Sequence, residues 1–364
     1  MKPVHERLNF CNRYQHTGNV SMLAQQSPSR GRVSRILGGI ALLFAAGVST
    51  AQTANSDSTA AHNQGGASPS LVAAASASEW QKMGKTFDFG DQKAFFVDQG
   101  AGKATIAIHG FPTSSWDFRR MASSFSKAGR FIAPDLPGFG FSGKSTDTKY
   151  TIAKHADLIV ALTQHLGLTS ARLIGADVGV SVVQELLARQ LDAKLPFTIE
   201  SAVFINGSLF AEQFKPTSGQ SSLLGAFGGV ANRAASESAV VGGLIQVSGP
   251  EKRIPAAEWG SVWTLVNYPS DSRILHKVLP STSEREANDS RWTNAICKTK
   301  TPQMMIVGLA DPTGSRQMYE LAQAKCKGSQ TFLVMQNEKS GHFPHIEYPE
   351  ETSKAILAWR EGGY

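Results

Sequence analysis

The chain is poor in the residues that build small cross-linked or metal-bound scaffolds. It has three cysteines in 364 residues and no CxxC pair, which excludes a disulfide-dense framework and a zinc ribbon. It has no apolar run long enough for a full membrane span. Charged residues make up 18% and hydrophobic residues 41%, which excludes a wholly disordered chain; the glycines follow no collagen period. The net charge of +7 does not mark a nucleic-acid binder. Lys2, Arg7, Arg13, Arg30, Arg32 and Arg35, set against Glu6, place +5 of it in the first 51 residues. The remaining body is close to balanced, so nucleic acid is not an expected partner.

The first 51 residues read as a secretory signal peptide. Arg30, Arg32 and Arg35 precede a 13-residue apolar stretch at 36–48, and Ser49-Thr50-Ala51 supply a small-residue exit. Met22 is an alternative start that would shorten the basic region to an ordinary length. An uncleaved N-terminal anchor is the competing reading. The expectation is an exported protein, periplasmic or secreted, with no stable membrane insertion after cleavage. Residues 52–79 hold 14 Ala or Ser out of 28 and read as a disordered linker. Folding is then expected over 80–364. Cys11 leaves with the signal; Cys297 and Cys326 remain, either paired or packed separately.

Strand and helix patterns alternate in the body. Strands are expected at 93–98, 104–108, 130–134, 171–176, 201–205, 303–309 and 331–335, and helices at 152–166, 178–189, 316–324 and 350–359. Such alternation implies an α/β fold with a mostly parallel sheet covered on both faces. Between about 208 and 301 no buried strand is legible, and glycine clusters stand beside Trp259, Trp263 and Trp292. This segment reads as a helical lid over the carboxyl ends of the strands, where open α/β sheets bind ligands.

Gly138, Gly140 and Gly143 fit GxGxxG, and Gly138 through Ser145 fit the Walker A spacing. Both motifs need a helix to begin at the glycines. Pro134 and Pro137 precede them, and the next helical pattern starts near Thr151. The stretch therefore reads as a tight loop.

The strand at 171–176 runs directly into Gly175-Ala176-Asp177-Val178-Gly179 and a helix. This is the form of a nucleophile elbow, in which a sharp strand-to-helix turn lifts one side chain above the sheet. The nucleophile position holds Asp177, and no GxSxG occurs in the chain. A carboxylate is already anionic at neutral pH. It can displace a leaving group from saturated carbon to give an alkyl ester, which water must then cleave with the help of a base and an oxyanion hole. His342, after Gly341 and beyond the last strand, is the candidate base; His345 is a less well placed alternative. Asp311, before Pro312, is the candidate partner of that histidine. The backbone N–H groups of Phe111 and Val178 are candidate oxyanion donors. His109 and Trp116 are candidate pocket residues.

These motifs resemble a known family. His109-Gly110-Phe111-Pro112, Asp135 through Ser142, the elbow, Asp311-Pro312 and Gly341-His342-Phe343 followed by Glu347 and Pro349 fall in order. The chain resembles the α/β-hydrolase branch of epoxide hydrolases and haloalkane dehalogenases. Phe111 through Ser115, Leu136 through Ser142 and Gln184 through Leu187 look most like the mesoderm-specific transcript proteins. The resemblance implies an eight-stranded, mostly parallel sheet with a helical cap after strand six. It allows the acid to follow strand six or seven; Asn206-Gly207 after strand six offers no carboxylate, which favours Asp311.

It also implies an epoxide hydrolase-like enzyme acting on a small or medium apolar molecule. Such enzymes protonate the opening ring from lid tyrosines, and Tyr268 is the sole tyrosine in the expected lid. Haloalkane dehalogenase-like chemistry is the alternative. It is weakened because Val178 and Phe111 stand where the halide-holding Trp and Asn would be, which leaves Trp116 or a lid tryptophan as the substitute. Haloacid chemistry would want an arginine just after the elbow, and 178–186 has none. An esterase is disfavoured because aspartate would give an anhydride. A non-catalytic binding protein with a vestigial site is the reading from another class. No metal or organic cofactor is implied; the expected partner is a small-molecule substrate.

Overall fold

The computed structural model describes residues 69–251, 254–270, 272–326 and 332–363. The expected signal peptide, Met22, Cys11 and the first part of the linker lie outside the described residues. Eight strands form one sheet: β1 (Gly84–Phe89), β2 (Gln92–Gly100), β3 (Ala104–Ile108), β4 (Arg130–Pro134), β5 (Ser170–Ala176), β6 (Thr198–Ile205), β7 (Gln303–Gly308) and β8 (Phe332–Asn337). Their order is β1-β2-β4-β3-β5-β6-β7-β8. β2 runs antiparallel to β1 and β4, and every other pair is parallel. β3 is buried at all five residues, as its run, apolar but for Thr105, requires of a central parallel strand.

Alternate side chains divide between two cores. Ile106, Ile108, Leu173, Phe204 and Met305 point to one face. There α3 (Ile152–His165), α4 (Val178–Leu191), α10 (Glu284–Lys298) and α11 (Ser315–Lys325) cover them. Ala107, Ile174, Val203, Ile205 and Ile306 point to the other, under α2 (Arg119–Ala128) and α13 (Pro349–Glu361). This period-two partition is the geometry of a sheet buried on both sides.

The stretch between β6 and β7 is helical, as its lack of strand signals implies. It contains α5 (Ser218–Leu224), α6 (Gly228–Ala234), α7 (Glu237–Val247), α8 (Ala256–Val266) and α9 (Leu275–Val278) before α10. One boundary needs correction. Helix α1 (Pro69–Met83) begins inside the stretch assigned to the linker, and Ala77 and Trp80 are buried. Alanine enrichment suits a helix as well as a tether, and a single aromatic anchor docks it: Trp80 Nε1 donates to Ser115 Oγ at 3.0 Å. Cys297, at the end of α10, and Cys326, after α11, form a disulfide.

The glycine loop after β4 serves a carboxylate. The Asp135 oxygens accept from the Ser115 and Phe141 backbone N–H groups, each at 2.7 Å. Gly140 has φ +50°, and a Cβ there would collide with the Asp135 side chain. Lys144 reaches the carbonyls of Gly140 and Leu265. The cradle that mimics a phosphate loop is filled from within.

Candidate active site

β5 delivers Asp177 to the start of α4 with φ 51° and ψ −111°. A non-glycine residue rarely occupies this region, and it does so where the fold over-determines it. The close packing that does so leaves no space at Gly179, where a Cβ would strike the Ile108 carbonyl at the end of β3. The turn lifts the Asp177 carboxylate clear of the sheet, and its side chain keeps 22% exposure.

The three residues named from sequence converge. His342 Nε2 lies 3.2 Å from Asp177 Oδ2, and His342 Nδ1 lies 2.8 Å from Asp311 Oδ2. Phe111 N–H donates to Asp177 Oδ1 at 2.8 Å. Val178 follows as the first residue of α4 and is buried.

The electrostatics follow from these contacts. Burial pushes the Asp177 carboxyl up, but the His342 hydrogen bond and charge, the Phe111 N–H and the charge of Arg285 outweigh it and leave the carboxyl below its usual range. Burial likewise opposes ionisation of Asp311, which the His342 charge and hydrogen bond, with Ser315 and Thr313, overcome. Burial disfavours the His342 cation, yet the Asp311 charge and the hydrogen bonds to both carboxylates hold its pKa well above the ordinary value. The two flanking carboxylates thus favour the imidazolium form of His342, with one ring nitrogen toward each.

Several supporting residues fall outside the expected set. Asp311 Oδ1 accepts from the Thr313 N–H at 2.8 Å and the Thr313 hydroxyl at 2.7 Å, and Ser315 Oγ donates to Oδ2. The run Asp311-x-Thr313-x-Ser315 is the signal that was there to be read, a carboxylate followed by hydroxyls that fold back on it. Glu347 Oε2 accepts from Gly341 N–H at 2.8 Å and Gly249 N–H at 3.0 Å, tying the histidine loop to the lid. Arg285 comes from α10 to donate from Nε to Ser181 Oγ, one turn beyond Asp177, at 3.0 Å.

Four expectations are corrected. Tyr268 makes no contact with Asp177: Gln81 Nε2 donates to its hydroxyl at 3.1 Å, and its ring packs edge-on to Phe141. The segment after α8 is held at α1, with Lys144 bonded to the Tyr268 carbonyl. His109 is a buried tie: its Nδ1–H donates to the Gly110 carbonyl at 2.8 Å, and its Nε2 accepts from Leu136 N–H at 3.0 Å. Burial lowers its pKa despite Asp135 nearby, which suits this neutral tautomer. Trp116 is buried beneath the Arg119 guanidinium and lines a groove with Trp80 and Met83 of α1. His345 is no rival base; it is buried against Phe118, 3.9 Å from Asp117.

The sequence profile of the α/β hydrolase fold matches residues 106–349. The chain belongs to the α/β-hydrolase family. A mesoderm-specific transcript protein of Mus musculus is 29% identical over 74% of this chain and 83% of its own length. A haloalkane dehalogenase of Mycolicibacterium paratuberculosis is 26% identical over 73% of this chain and 87% of its own. Among solved structures, the epoxide hydrolase CorEH shares the hydrolase fold with a TM-score of 0.61 at 18% identity, covering 76% of this chain and 97% of that one. Among the described residues no helix is long and apolar enough to cross a membrane, and no cluster of three or more His, Cys, Asp or Glu side chains is arranged to hold a metal ion.

Proposed function

We propose that this α/β-hydrolase cleaves a small electrophile through a covalent ester on Asp177, with an epoxide as the leading substrate type. The carrying observation is the contact chain Asp177–His342–Asp311 at an elbow that offers a carboxylate in place of a hydroxyl. One Asp177 oxygen attacks the saturated carbon, and the carbon–oxygen bond of the ring breaks. The Phe111 N–H holds the other oxygen and fixes the attack direction. The alkoxide takes its proton from water at the open side of Asp177, since Tyr268 is engaged elsewhere.

Ester formation removes the Asp177 charge, which helps to keep His342 protonated. The histidine then gives its proton to the hydroxide left when water protonated the alkoxide, and as the neutral imidazole it becomes the base that activates a second water. Water attacks the ester carbonyl, and the developing oxyanion takes the N–H groups of Phe111 and Val178. Collapse releases the alcohol, and Asp177 is restored.

Halide displacement is the second reading, favoured by one observation. A halide needs no proton, and the Tyr268 hydroxyl sits on Gln81. The assembled triad and the strained, accessible Asp177 argue against a merely vestigial site. A single-turnover reaction in ¹⁸O water tests the mechanism. The label is expected in Asp177 and absent from the first product. Label in the first product, with none in the enzyme, would overturn it.

The leader pattern and the Cys297–Cys326 disulfide support export, because such bonds persist in oxidising compartments. Intact mass of the mature protein tests this; an N-terminus at Met1 or Met22 would exclude signal cleavage.

A further inference from the structure

Arg285 carries a charge into the interior without an acidic partner. It is 4% exposed, and among the described residues no carboxylate lies within 4 Å of it. Arg119 and Arg291, by contrast, are paired with Glu258 and Glu185. Arg285 Nε donates to Ser181 Oγ at 3.0 Å and to the Ser208 carbonyl at 3.2 Å, while Nη1 reaches the Thr282 carbonyl at 3.5 Å. Nη2 donates to no described residue. Its guanidinium carbon lies 5.2 Å from the Phe214 ring centroid.

Both anchor points border the elbow. Ser181 is one helical turn after Asp177. Ser208 follows Gly207, where a Cβ would meet the Asp177 backbone at 2.6 Å. Burial lowers the Arg285 pKa to about 10 and the Asp177 charge opposes that fall, so the group stays cationic at neutral pH. No nitrogen of Arg285 is both sealed and without a partner, so the Nη2 N–H groups open on space that water or a ligand can fill. A planar carboxylate matches that fork. An anionic substrate would also be repelled by the Asp177 carboxylate, and a fixed cation beside the elbow offsets that repulsion.

We propose that Arg285 sets the substrate class of this site by receiving a carboxylate, so that the molecule opened by Asp177 is a small organic acid carrying an epoxide or halide. The proposal rests on the aspartyl-ester reading for its chemistry, and its binding half is tested without it. Calorimetry with unreactive phenylacetate and phenylacetamide should show at least tenfold tighter binding of the acid to the wild-type protein. Arg285→Gln should bring that ratio near one. Arg285→Lys, which keeps the charge and loses the fork, should at least halve it and serves if the glutamine variant does not fold. A wild-type ratio near one, or a preference that both variants retain, overturns the proposal. In His342→Gln, phenylglycidate should esterify Asp177 at least tenfold faster than phenylglycidamide, read by intact mass. Equal rates overturn the substrate class while leaving the ester mechanism standing. Tight phenylacetate binding with no ester from either probe fails the mechanism and leaves the carboxylate site standing.

Discussion

The side-chain amide of Asn206 holds the backbone of His342. Its Nδ2 lies 2.9 Å from the His342 carbonyl oxygen and 2.9 Å from that of Gly341, and its Oδ1 accepts from Gly308 N–H at 2.9 Å. Asn206 is fully buried and sits after β6, where a family member of the other arrangement would carry the acid. Here the position fixes the backbone of the proposed base.

Asn206→Asp should therefore be worse than Asn206→Ala. The alanine leaves two carbonyls and one N–H unpaired, a loss of about 2–4 kcal/mol. The aspartate sets a buried anion against two carbonyl oxygens, a loss of about 3–5 kcal/mol. Urea unfolding of the two variants checks the order. An aspartate variant as stable as wild type would contradict this reading of the contacts.

The triad carries a signed pH dependence. His342 has a pKa raised above its unfolded value of 6.5, so its contribution to stability is complete below about pH 6.5 and is lost as pH rises through the folded pKa. Asp177 and Asp311 have lowered values; their contributions are present above the unfolded value of 3.8 and are lost as pH falls through the folded ones. Asp177→Asn removes one of the two charges that sustain the imidazolium. The His342 titration followed by NMR should move to lower pH in that variant. An unchanged or higher value would exclude the coupling on which ester cleavage depends.

The glycine loop offers a sharper test of the nucleotide-like motif. Gly140→Ala forces a side chain into a left-handed φ and against the Asp135 carboxylate. The loss should be about 1–3 kcal/mol, read from denaturant unfolding. Millimolar ATP should raise the melting temperature of neither protein. A nucleotide-dependent rise would restore the phosphate reading.

The elbow was legible because a short strand whose last four residues are apolar enters Gly175-x-Asp177-x-Gly179 and a helix follows directly. His342 and Asp311 were legible because each follows a strand of the same sheet, which brings strand ends together whatever separates them in sequence. The misses have separate causes. β1 buries only Phe87 and so leaves no strong periodic trace; α2 does set Met121, Ala122 and Phe125 on one face, but it is only 10 residues long. Arg285 joins Ser181 across 104 positions, and no local pattern encodes that meeting. The direction of the Tyr268 hydroxyl is set by Gln81, 187 positions earlier.

Tyr268 allows a last expectation that separates the two accounts of the lid. A general acid contributes roughly 10²–10⁴-fold to rate, so a proton-donating tyrosine replaced by phenylalanine would show that loss in kcat for an epoxide. Its hydroxyl instead meets Gln81, and its ring packs on Phe141. Tyr268→Phe keeps the ring and removes only a part-buried hydrogen bond, a stability cost of about 1 kcal/mol. The turnover rate should stay within roughly threefold of wild type, far inside the acid-catalysis range. A hundredfold fall confined to substrates with poor leaving groups would instead mean that the lid swings Tyr268 over Asp177 during reaction, and the water-derived proton would have to be abandoned.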